Sequence, residues 1–255
     1  MSNLLSDTWT LAVRMLKHSV RSPDTIMTVV AMPAFLLLAF VFVLGGAMNT
    51  GAANYVDYVV PVVLLFCVAS GVAYTGYRVN QDVTSGFFAR LRTMPIARSA
   101  LIGGHLVASV LANLVSVAVI WVVSLAIGYR PRPAVAWWWA SCGILLLAVV
   151  AFSVLGVAFG VLAKTNEGAG MFSYLLMVLL FVSSGFAPTD TMPAGLRAFA
   201  DHQPMTPLIN ALRAGQLGQP MGADAWVATV WLVGVIVVFA VVAGLAQTRA
   251  TTRPS

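Results

Sequence analysis

Three histidines, two cysteines and eight acidic residues are the groups of this 255-residue chain that could do chemistry, and their spacing decides whether they can. His18, His105 and His202 fall on separate segments, without the close spacing of a metal site or a paired base. Cys67 and Cys142 each lie inside an apolar stretch with no CxxC spacing and no neighbouring histidine, so both read as small buried hydrophobes. Lys164-Thr165 is preceded by Ala163 where a phosphate-cradling loop needs glycine, and no GxGxxG occurs. No serine sits in a GxSxG turn. The expectation is a chain with no catalytic residues, no metal site and no cofactor of its own, unable to hydrolyse ATP alone.

The elements that must hold the remaining polar groups are apolar. The chain is 60% hydrophobic and 9% charged with a mean hydropathy of +0.92, which excludes an ordinary soluble domain. Its +6 charge is scattered between apolar blocks rather than gathered in a patch, which argues against nucleic acid and for a membrane protein using basic residues to set its orientation. Apolar blocks cover residues 26–46, 58–77, 101–128, 137–163, 169–187 and 226–247. The first, at about 1.5 Å per residue, matches a hydrocarbon core of about 30 Å, and Pro33 within it predicts a kink. The reading is an all-α polytopic protein of six transmembrane helices: residues 1–25 an amphipathic interface helix, 26–247 the membrane domain and 248–255 a tail. Trp137, Trp138, Trp139 and Trp226 open two of the blocks as interfacial aromatics.

Six crossings put both termini on one side. Ten of the fourteen Lys and Arg residues fall on that side and four, Arg130, Arg132, Arg197 and Arg213, on the other, so both ends are expected in the cytoplasm of a cell whose plasma membrane the chain spans. No Asp, Glu, Lys or Arg falls at depth in the blocks; Asp57 and Arg78 stand at their borders. Ion-coupled carriers need an ionisable group near the midplane, so the energy is expected to come from elsewhere. The interior offers Ser70, Tyr74 and Thr75 in the second block, His105, Ser109, Asn113 and Ser116 in the third, Ser153 in the fourth and Tyr174, Ser183 and Ser184 in the fifth, which either line a pathway or bond between helices. Gly156 and Gly160 form a GxxxG at which two helices can approach.

Three polar segments remain. Before the first block, Leu5, Trp9, Ala12, Leu16 and Val20 recur at helical spacing while Arg14, Lys17 and Arg21 share another face, predicting an amphipathic helix on the membrane surface that either anchors the chain or contacts a partner. Between the second and third blocks, Val79, Val83, Phe87 and Leu91 predict a short helix bent near Gly86 and stopped before Pro95. Phe87 and its neighbour either pack under the bundle or fill a partner's pocket, with Arg90, Arg92 and Arg98 as a basic rim. Residues 188–225 carry punctuation for two short helices: Pro193 opening one, then Thr206 as cap, Pro207 at the first position, Arg213 in the last turn and Gly215 beyond the end of the other.

The run Asp82, Gly86, Arg90-Leu91-Arg92, Pro95, Arg98 and Gly103-Gly104 resembles the cytoplasmic signature of ABC-2 type transporter permeases. The segment from Ser184 through Pro188, Met192-Pro193, Leu196, Phe199, Gln203-Pro204, Thr206-Pro207 and Ala211-Leu212-Arg213 is similar to that of the actinobacterial daunorubicin/doxorubicin-resistance permeases. The resemblance implies a non-catalytic permease subunit of an exporter, moving an amphipathic or hydrophobic compound with ATP and Mg handled by a separate ATPase subunit. It implies a second permease copy, identical or related, and contact with membrane lipids. By the same analogy Asp82, Gly86, Phe87, Arg90, Leu91, Arg92, Pro95 and Arg98 form the ATPase-coupling element. Trp9, Arg14, Lys17 and Arg21 belong to the interface helix, and Pro188, Met192, Pro193, Pro207 and Arg213 to an outer re-entrant element. The family commonly has Glu where Asp82 stands. An ATP-independent carrier or channel is the alternative.

Overall fold

Backbone groups in hydrocarbon have no water to bond, so an apolar block satisfies itself as a helix. The computed structural model describes residues 4–46, 54–85, 98–132 and 134–252, and its longer elements are all helices. Among the described residues there are nine: α1 Leu4–Arg21, α2 Pro23–Leu44, α3 Tyr55–Thr84, α4 Arg98–Ala126, α5 Val135–Leu162, α6 Asn166–Phe181, α7 Ala194–His202, α8 Met205–Gln216 and α9 Gly222–Thr252. By length and composition α2, α3, α4, α5 and α9 can each cross a membrane. The block at 169–187 behaves differently. Its helix, α6, has 16 residues, about 24 Å, and gives way after Phe181 to irregular buried backbone.

Helix α3 is the axis of the bundle, sheathed by α4, α5 and α6, with Val59 through Cys67 almost wholly buried. Gly156 and Gly160 of α5 do face another helix. A Cβ on Gly160 would stand 2.6 Å from Val79 Cβ and 2.7 Å from the Gly76 carbonyl oxygen, a separation that only glycine permits. Asn80 then donates to the carbonyls of Gly160 at 3.1 Å and Ala163 at 2.6 Å, bonding groups that the end of α5 leaves orphaned.

Pro33 is accommodated by a wide π turn, Met27–Ala31, just ahead of it, with a second at Phe40–Leu44. Pro33 has no N–H for the carbonyl four residues back, and that Val29 oxygen accepts from the Cys67 thiol at 3.2 Å. The buried cysteine is thus also a donor. Helix α1 lies against the start of α4, where Gly103 and Gly104 let Thr8 and Leu11 come close. Leu11 and Ala12 are buried there while Trp9 is exposed, so the face that packs is rotated from the Leu5, Trp9, Ala12, Leu16, Val20 stripe.

Candidate functional site: a neutral seam with charged ends

Helix α3 carries a carboxylate near each end. Asp57 and Asp82 are 25 positions apart, about 37 Å along a helix, which exceeds a hydrocarbon core of about 30 Å. Asp57 is buried in the first turn, a favourable place for an anion, and its Oδ1 accepts the Arg130 backbone N–H at 3.4 Å. Beside it the buried Tyr129 hydroxyl donates to Gln216 Oε1 at 2.9 Å, and burial first, then the Asp57 charge, pushes that phenol above its ordinary range. At the other end Asp82 Oδ2 stands 3.1 Å from Nε2 of buried His105. That is ion-pair distance for a protonated imidazole, but off the line a hydrogen bond requires.

Between the carboxylates, short of Arg78, the side-chain contacts that α3 makes with α4 and α5 are neutral. Thr75 Oγ1 and Ser109 Oγ are hydrogen-bonded at 2.7 Å, Ser109 donates to Ser153 Oγ at 3.0 Å, and Asn113 Nδ2 reaches Ser153 at 3.3 Å. Asn113 Oδ1 presses on Gly71, where a Cβ would nearly coincide with it. This seam joins α3, α4 and α5. Tyr74 accepts from Arg78 Nε at 2.8 Å at its edge. Of the other interior residues singled out from sequence, Ser70 is buried and bonded to Phe66 of its own helix, and Tyr174 is exposed on α6. Thr75, Ser109 and Ser153, polar residues inside apolar blocks, are legible from sequence as groups that can bond between helices, but which of them meet is not, since Thr75 and Ser109 are 34 positions apart and Ser109 and Ser153 are 44.

Ser183 and Ser184 lie instead where α6 stops. A helix that ends inside a bundle leaves carbonyls that must find donors. Gln203 Nε2 supplies Leu179 at 3.0 Å and Val182 at 3.3 Å; the Tyr58 hydroxyl supplies Ser184 at 2.7 Å; the Tyr55 hydroxyl supplies Phe186 at 3.1 Å. Arg213 Nη2 donates to Ser184 at 2.8 Å and Gly185 at 3.3 Å, its Nε to Tyr58 at 3.1 Å, and its guanidinium lies 3.7 Å from the centre of the Tyr58 ring. Tyr55 and Tyr58, three apart on one helix face, are the sequence signal for this clamp; Gln203 has none beyond its place beside Pro204.

Pro188 and Met192 flank a single 3₁₀ turn, Thr189–Thr191, and Pro193 precedes α7 as predicted. Helix α8 starts earlier and ends later than expected. Gln203 Oε1, not Thr206, accepts the first N–H, from Met205 at 3.2 Å, while Thr206 turns its hydroxyl to Ala200. Pro207 lies in the first turn, Gly215 is inside the helix against Trp137 and Ser141, and Gly218, with φ of +72°, follows the end. Arg14 and Lys17 are exposed on α1, which Arg21 ends, and Arg98 begins α4. Gly86, Phe87, Arg90, Leu91, Arg92 and Pro95 lie outside the described residues.

A bundle of long apolar helices whose central helix meets its neighbours through neutral groups at mid-length and carries its carboxylates near its ends is the build of a multi-pass membrane protein. The sequence profile of the family described as ABC-2 type transporter matches residues 6–217. The chain belongs to that family. It is 31% identical over 221 residues to the daunorubicin resistance ABC transporter permease protein DrrB1 of Streptomyces coeruleorubidus, covering 86% of this chain and 77% of that one. With the probable doxorubicin resistance ABC transporter permease protein DrrC of Mycobacterium tuberculosis it shares 25% over 242 residues, 94% of this chain and 87% of the relative.

Proposed function

We propose that this chain is the membrane subunit of an ATP-driven exporter for an amphipathic or hydrophobic compound, working in a plasma membrane with both termini cytoplasmic. The single observation behind this reading is the neutral seam, Thr75, Ser109, Asn113 and Ser153, running through the core of an ABC-2 family member. A core without a fixed charge at depth offers nothing for a coupling ion to bind, so the driving force has to arrive as mechanical work at one end. The relatives' names, which speak of daunorubicin and doxorubicin resistance, support export of a drug-like compound.

In this reading ATP and Mg are bound by a separate ATPase subunit. Its motion enters through Asp82, the segment holding Gly86, Phe87, Arg90, Leu91, Arg92, Pro95 and Arg98, and the α1 residues Trp9, Arg14, Lys17 and Arg21. The α6 end with α7 and α8, including Pro188, Met192, Pro193, Pro207 and Arg213, acts as an outer re-entrant element. The short α6 and its irregular extension together make the sixth crossing. Two permease copies enclose the path.

The test is reconstitution with the ATPase in vesicles. Transport is expected to need nucleotide and to ignore a collapsed ion gradient, and Arg90→Glu and Pro95→Ala are expected to leave hydrolysis running without transport. Uphill transport by this chain alone, lost with the ion gradient, would establish the carrier reading instead.

A further inference from the structure

Beside the seam, on the α1 side of the bundle, lies a cavity of about 400 Å³ walled by α1, α2, α3 and α4. Its volume falls in the range of pockets that hold drug-sized ligands, about 300–1,000 Å³. All of its walls come from one chain, so it needs neither a second copy nor an ATPase to exist. One end is charged, by Arg14, Arg78 and Asp82, with His105 beside them. Two arginines against one carboxylate leave a net +1 before any charge on the imidazole. The remaining walls combine the neutral polar seam residues Thr75, Ser109 and Asn113 with an apolar track formed by Val29 and Val30 of α2 and Ala112 and Val115 of α4, and Ile26 and Val115 are exposed.

Two polar atoms in these walls are buried without a hydrogen-bond partner. Thr25 Oγ1 belongs to a residue 8% exposed and His105 Nε2 to one 5% exposed. A buried polar group left unsatisfied is costly, and both of these border space large enough for a ligand. Asp82 does not relieve His105, since it is not aligned for a hydrogen bond.

We propose that this cavity binds a single-chain anionic amphiphile, one phosphate or carboxylate head on one apolar tail. The head accepts from the Arg14 and Arg78 guanidinium groups and from His105, and the tail lies along Val29, Val30, Ala112 and Val115. The excess of positive charge selects an anionic head over a cationic one. The exposed apolar residues at the mouth admit the tail from hydrocarbon. The site goes beyond the transport reading and stands whether or not that reading holds.

The experiment uses the full chain in nanodiscs of zwitterionic phosphatidylcholine, with dansyl-undecanoate fluorescence as the probe. Saturable binding is expected, displaced by dodecyl phosphate but not by dodecyltrimethylammonium or by inorganic phosphate. Ala112→Phe, which fills the tail track, and Arg78→Gln, which removes a charged donor, are each expected to weaken binding about tenfold. Arg14→Gln and Val115→Trp alter exposed positions and serve if either variant fails to fold. Lysophosphatidate doped into the bilayer separates the two sources: competition from within the membrane assigns a lipid, and competition by the water-soluble alkyl phosphate alone assigns a soluble amphiphile. Equal displacement by both head charges, displacement by inorganic phosphate, or binding unchanged in the cavity variants overturns the proposal.

Discussion

Replacing Arg213 with leucine removes the donor that fastens α8 to the unwound end of α6. Two of its hydrogen bonds, at 2.8 Å to Ser184 and 3.1 Å to Tyr58, are short, and bonds from a charged donor contribute about 1.5–3 kcal/mol each. Its stacking at 3.7 Å on Tyr58 contributes up to about 2 kcal/mol when desolvated. These terms do not simply add. Ser184 keeps the Tyr58 hydroxyl at 2.7 Å, and leucine sheds the desolvation burden of a part-buried guanidinium, which brings the expected loss to about 3 kcal/mol. For a chain of this size that lowers the unfolding midpoint by about 6–12 °C, read by tryptophan fluorescence of the purified protein in nanodiscs. Arg213→Lys is expected to recover less than half, because one ammonium cannot serve these carbonyls and lie flat on the ring. The control is Arg197→Gln, which breaks an exposed pair with Asp201 at 3.5 Å and costs at most about 1 kcal/mol. A midpoint for Arg213→Leu no lower than the control's would refute the clamp.

Gly160→Ala puts a methyl group within 2.6 Å of Val79 and 2.7 Å of a backbone oxygen that cannot retract, an overpacking cost of about 1–3 kcal/mol. Gly143→Ala on the same helix meets nothing within 4 Å and is expected to be neutral, so the contrast in unfolding by sodium dodecyl sulfate measures the helix approach itself. Asn80→Leu strips the donor from the Gly160 and Ala163 carbonyls and is expected to cost about 1–3 kcal/mol, seen as faster amide exchange at the end of α5.

Much of this architecture follows from composition. Blocks with no charge at depth have to be helical in lipid, and α3, α4, α5 and α9 fall on the blocks read for them. The GxxxG at Gly156 and the start of α7 after Pro193 are equally local, since small residues and proline act on the backbone where they stand. The packing face of α1 was not legible, because the choice of Leu11 over Trp9 is made by glycines of another helix, Gly103 and Gly104.

Tertiary structure alone decided the two features that set the site. Residues 169–187 read as an uninterrupted apolar span, yet α6 stops at Phe181 because Tyr55, Tyr58, Gln203 and Arg213 arrive to bond the carbonyls that follow. Asp82 and His105, which nothing in the sequence pairs with each other, meet at 3.1 Å because α3 and α4 pack side by side. Helix formation is a matter of neighbours three and four apart, which a pattern of residues records. A donor 126 positions from its acceptor, as Tyr58 is from Ser184, leaves no such record, and the fold has to bring the two together.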